Sequence, residues 1–209
     1  MKCCGRVLTE ADLTLLDGDP ELVSDDLLLN FVWHPPGCFD EDEYEAAWRR
    51  LAYRVVQVME DDPHASLAEG LALARPFTWP ENERAALRAQ LTGAIRRAAG
   101  DDERWPALDA LFQTAALLDE SLTPWLRLVD TFPDEVVVHL VREWTSAVQC
   151  TTKGDYGSLL VWQNPTPGEE MREWLFRPAL RDRLSGVDSE AAQDAFLHVD
   201  WFAEEFSTR

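Results

Sequence analysis

The chain has 209 residues, 46% of them hydrophobic, enough to bury one substantial core. Its 39 acidic residues face 19 basic ones, and the resulting charge of −20 disfavours binding to nucleic acid through phosphates. No apolar run reaches the ~18 residues of a membrane span, and the first residues lead into Glu10 and Asp12 rather than an apolar signal core, so a soluble, cytoplasmic protein is expected.

In chain order, residues 1–7 are expected to be frayed. Thr9 then caps a first helix carrying Leu13, Leu15 and Leu16, which Gly18 stops. Asp19-Pro20 has the cap-then-proline form of a helix start and opens a second helix through Leu22, Val23, Leu27, Leu28, Phe31 and Val32. His34-Pro35-Pro36-Gly37 ends it. Over 40–62, Tyr44, Ala47, Trp48, Leu51, Val55, Val58 and Met59 recur at spacings of 3 and 4, which predicts a long amphipathic helix terminated by Pro63. A short helix follows over 66–74, then one from 80 or 81 to 99, then one opened by Trp105-Pro106, then one opened by Thr123-Pro124.

Asp134 and Glu135 place negative charge where a helix dipole favours it, and Val137, Leu140, Val141, Trp144 and Val148 form one face of the helix that follows. We read this helix as central to the core. Residues 151–157 have loop composition, and 159–162 are too short to show a period. A helix restarts at Thr166-Pro167, with Pro178 expected to kink or divide it. Asp188 or Ser189 caps a last helix with Ala192, Phe196, Val199 and Phe206 on its apolar face.

These elements predict an all-α protein of nine or ten helices in one domain, 1–209. Trp79-Pro80, Trp105-Pro106 and Phe132-Pro133 recur after 26 and 27 residues, a weak sign of a short, irregular HEAT-like α-repeat stack. Ordinary helix starts with a packing aromatic explain the recurrence as well.

The sequence carries no nucleophile elbow, phosphate-binding loop, dinucleotide fingerprint or paired-histidine metal motif. No cofactor and no catalytic residue are expected, and a non-catalytic role is favoured over an enzyme. Cys3, Cys4, His34 and Cys38 are a weak zinc candidate, since tetrahedral zinc accepts thiolates and imidazole. Against it, adjacent cysteines fit one ion poorly, and the four cysteines read as reduced thiols. His139, four residues after Glu135, reads as a helix-surface ion pair or a satisfied half-buried side chain, and His198 with Asp200 at i, i+2 cannot form a helical dyad. Asp25-Asp26 with Asn30 lacks the second acidic motif of a magnesium site.

The remaining signal is the clustering of acids. Asp25 and Asp26, then Asp40, Glu41, Asp42 and Glu43, are the expected docking residues for a basic protein partner, as in an adaptor, an inhibitor or an immunity-type protein. Charge that merely keeps a protein soluble is the plainer account. The alternative function is an enzyme or accessory subunit whose helical pocket is lined by tryptophans and by Arg49, Arg54, Arg84 and Arg88, to bind carboxylate or phosphate. Most of the nine tryptophans are expected in core and loop packing, with one or two left for a partner or ligand groove. Oligomeric state is not legible.

Overall fold

The structure, a computed structural model, describes residues 2–3, 6–34, 36–39, 41–63, 65–153 and 165–207. It is all-α: eleven α-helices, with β1 (Lys2–Cys3) and β2 (Arg6–Val7) forming a two-residue antiparallel ladder. In that ladder Lys2 pairs with Val7 and Cys3 with Arg6. The chain divides into two compact units, Met1–Asp119 and Glu120–Arg209, where the sequence reading set one domain. No flexible linker marks the division. Glu120 turns the backbone there with φ at +51°, so composition held no sign of it.

In the first unit, α1 (Glu10–Asp17) starts at a reciprocal capping box. Thr9 accepts from the Asp12 N–H at 3.1 Å, and Asp12 accepts from the Thr9 N–H at 2.8 Å. The second helix begins later than its sequence suggested. Asp19-Pro20 starts only a 3-10 turn, Pro20–Leu22, and α2 (Asp25–Val32) takes its cap from Ser24, whose hydroxyl accepts from Leu27. Then come α3 (Glu41–Asp61), α4 (Ala65–Leu73), α5 (Glu81–Ala99) and α6 (Trp105–Asp119). α3 packs on α5 and α6, α4 on α6, and α2 on α4. The predicted stripe of α3 is its buried face: Tyr44, Trp48, Leu51, Val55 and Met59 are all at most 2% exposed. Trp48 lies among Phe31 and Tyr44 at centroid distances of 5.3 and 6.1 Å.

The second unit holds α7 (Thr123–Val129), α8 (Asp134–Lys153), α9 (Pro165–Phe176), α10 (Pro178–Ser185) and α11 (Glu190–Ser207). Val137, Leu140, Val141 and Trp144 are buried as their spacing predicts, and α11 and α9 pack on them. α8 runs on through 151–153, which read as loop; residues 159–162 lie outside the described residues. Pro178 divides α9 from α10, since it has no N–H to continue the ladder. Ser189 caps α11 through the Ala192 N–H at 3.1 Å. Each aromatic–proline step sits at a helix start, but α5 alone lies between the first two and α6 with α7 between the last two.

Two carboxylates hold this unit's turns. Glu170 of α9 accepts from the Ser121 hydroxyl at 2.9 Å, from the Leu122 N–H and from the Thr123 N–H at 3.0 Å, so it caps α7 from another helix. Burial raises its pKa, but these hydrogen bonds outweigh burial and leave the carboxyl below its ordinary 4.5. Asp130 likewise accepts from the Trp174 indole N–H at 3.0 Å and from Arg177 at 2.8 Å, and is held below its ordinary 3.8 against the upward push of burial. A depressed folded pKa contributes stability that is complete above the unfolded value and is lost as pH falls through the folded one. Thermal melts across acid pH are expected to show this unit weakening below about pH 4.5, with Glu170→Gln less stable at neutral pH and less sensitive to acid.

Candidate partner-binding surface

The arginines decide what the acidic surface can do. Arg49 pairs with Glu83, Arg54 with Asp25, Arg84 with Glu81, and Arg88 with Asp119. All four arginines of the alternative pocket are therefore engaged in ion pairs, three of which join residues 29 to 34 apart in sequence. Such half-exposed pairs contribute little individually, but they fix helix registers.

Along α3, positions 43, 50, 54, 57 and 61 fall at i, i+7, i+11, i+14 and i+18, a single face about 27 Å long. Arg50 donates to the Leu16 carbonyl at 3.0 Å and pairs with Asp17 at 2.7 Å, and Arg54 reaches Asp25 and the Gln57 amide oxygen. At the far end Arg104 draws two acidic runs together, contacting Glu60 at 3.4 Å, Asp61 at 3.3 Å and Asp101 at 3.4 Å. Arg97 adds a two-pronged pair to the buried Glu60 at 2.9 and 2.7 Å. Nine exposed carboxylates lie on this face or in the acidic runs that its arginines reach: Glu43 and Asp61 on α3, Asp62 just past its end, Asp17 met by Arg50, Asp25 met by Arg54 with Asp26 beside it, and 101–103, of which Arg104 meets Asp101. Three arginines oppose them, namely Arg50, Arg54 and Arg104.

Of the predicted docking residues, Asp25 and Asp26 are exposed at the first turn of α2, and Asp25 is tied to Arg54. Glu43 is exposed on the same face of α3 about 16 Å away, at 1.5 Å per residue from Arg54. Asp40 lies outside the described residues, as do the side chains of Glu41 and Asp42, whose backbone opens α3. Sequence reasoning did not assign Asp61 and 101–103 to docking. The contacts through Arg104 that join these runs span up to 44 residues and leave no local pattern.

His34 is 1% exposed, with Nδ1 2.8 Å from the Asn30 carbonyl and Nε2 buried without a partner. Cys38 is disulfide-bonded, which corrects the expectation of reduced thiols: an oxidised sulfur offers no thiolate to zinc. The side chain of Cys3 and the whole of Cys4 lie outside the described residues, and among the described residues no three metal-binding side chains converge. Trp79 meets its expectation, buried with its N–H on the Ala74 carbonyl at 3.0 Å. Among the described residues, Trp33 and Trp201 are the exposed tryptophans, at 47% and 51%. Among the described residues no helix is long and apolar enough to cross a membrane. No protein-family model, no curated protein and no solved structure matches the chain.

Proposed function

We propose that this is a non-catalytic helical protein that docks a basic protein on the acidic face of α3, in the manner of an adaptor, inhibitor or immunity-type protein. The observation that carries the reading is the excess of exposed carboxylates on and around the outer face of α3: Glu43 and Asp61 stand on it, and Arg50, Arg54 and Arg104 tie it to the acidic positions Asp17, Asp25 and Asp101. A face of one sign accelerates encounter with a partner of the other and repels acidic competitors. The same field weighs against nucleic acid, whose phosphates it would repel. A cytoplasmic setting forms part of the proposal, and the Cys38 disulfide is the observation that weighs against that setting.

The test is capture from the source lysate at low salt on the immobilised chain, followed by a salt wash. A stoichiometric basic protein should elute with salt and should be absent from a column bearing the variant with Asp26, Asp62, Asp102 and Glu103 neutralised. An eluate that is unchanged by those substitutions, or that contains nothing basic, contradicts the reading.

A further inference from the structure

The second unit carries an apolar surface that the acidic face does not explain. α11 buries Ala192, Ala195, Val199 and Phe202, yet on its outer side Leu197 is 63% and Trp201 51% exposed. They stand one turn apart at i, i+4. Leu197 also lines a groove of about 450 Å³ with Leu184, Val187 and Phe196 and the polar Ser185, Asp188 and Gln193. Burying both exposed side chains against a partner is favourable through the hydrophobic effect.

The stripe has a charge pattern as well. Glu190, Asp194, Leu197, Trp201 and Glu204 recur at spacings of 4, 3, 4 and 3, which is one side of a helix about 21 Å long, with an apolar centre and acidic ends. The neighbouring arginines are engaged: Arg142 with Asp194, Arg181 with Asp200, and Arg183 with Asp134.

We infer that this face binds a basic amphipathic helix, with one of its apolar side chains in the groove, the next against Trp201, and lysines or arginines over the acidic ends. Several observations select that occupant. A small molecule would need polar groups converging inside the groove, whereas its polar side chains, Ser185, Asp188 and Gln193, are all exposed to solvent. The strand ladder of the chain belongs to the other unit, so strand addition has no edge to use among the described residues here. A second copy would bring another −20 of charge against the same acids. An apolar stripe with basic flanks matches both the i, i+4 ridge and the sign of the rim. This inference goes beyond the proposed docking at α3 and does not depend on it.

The experiment is fluorescence anisotropy with the full chain and a labelled synthetic helix of about 18 residues, roughly 27 Å, carrying leucines at i, i+4 and i+7 and lysines elsewhere. A scrambled peptide of the same composition carries the charge without the stripe. The striped peptide is expected to bind at least about tenfold more tightly than the scrambled one, and Leu197→Glu and Trp201→Ala should each weaken it at least about tenfold. Both residues are exposed, so unchanged thermal melts will show the variants folded. Neutralising Asp26, Asp62, Asp102 and Glu103 should leave the preference for the stripe intact even if it abolishes capture of the basic partner. Equal binding of the two peptides, or binding unaffected by Leu197→Glu, would overturn the inference. So would self-association of the chain that Leu197→Glu abolishes, because a second copy would then be the occupant.

Discussion

Trp48→Ala is expected to cost the first unit about 3–5 kcal/mol, the range for truncating a fully buried large aromatic, measured as the shift in a urea melt followed by circular dichroism. Against a total stability of about 5–15 kcal/mol, that loss removes much of the margin. The indole is 0% exposed and sits between Phe31 and Tyr44 on one side and α4 on the other. It can sit there only because residue 70 is glycine. A methyl group at Gly70 would fall 2.6 Å from Trp48 Cη2, overlap Cζ2 as well, and lie 3.3 Å from Val32 Cγ1. Gly70→Ala should therefore destabilise by about 1–3 kcal/mol despite the better helix propensity of alanine. In a Trp48→Phe background the smaller ring withdraws the overlapping atoms, and Gly70→Ala should become nearly neutral or stabilising. A cycle showing no coupling between positions 48 and 70 would refute this packing account.

Neutralising Asp26, Asp62, Asp102 and Glu103 together is expected to slow association with the basic partner by about tenfold or more at low salt, with a smaller change in dissociation. None of the four is in an ion pair that staples helices, and all are exposed, so stability should change by no more than about 0.5 kcal/mol each. The contrasting variant is Arg104→Ala. It removes the cation that draws Glu60, Asp61 and Asp101 together, so it should weaken the fold of that corner while adding to the negative field. An association rate that follows charge in both variants, falling in the neutralised one and rising in Arg104→Ala, separates electrostatic steering from mere structural damage.

Much of the fold was legible because its cues are local. The stripe of α3, the face of α8, the caps at Thr9 and Ser189 and the break at Pro178 each depend on residues within a few positions of one another. Asp19-Pro20 misled because Ser24, five residues on, caps more effectively with Asp25 and Asp26 in its first turn; the earlier signal closes only one 3-10 turn. The start at β1 was missed because two-residue strands carry no period. The contacts among the surface acids were legible only in part. Asp25, Asp26 and Glu43 could be named from clustering, but the ion pairs of Arg54 and Arg104 reach 29 to 44 residues along the chain. The pairing of the four pocket arginines was hidden for the same reason, since each meets a carboxylate that sequence proximity could identify only for Arg84, with Glu81 three positions away.

The most direct test of the acidic docking surface is the association rate of the salt-eluted basic partner with the unmodified chain, followed by stopped flow as ionic strength is raised. Between 0.01 and 0.15 M the screening length shrinks from about 30 to about 8 Å, from the scale of the whole α3 face to the spacing between its neighbouring charges. The account predicts a rate that falls at least about tenfold over that range, with the fall much reduced in the four-site neutral variant. A rate that stays flat with salt, or falls equally in both proteins, would contradict it.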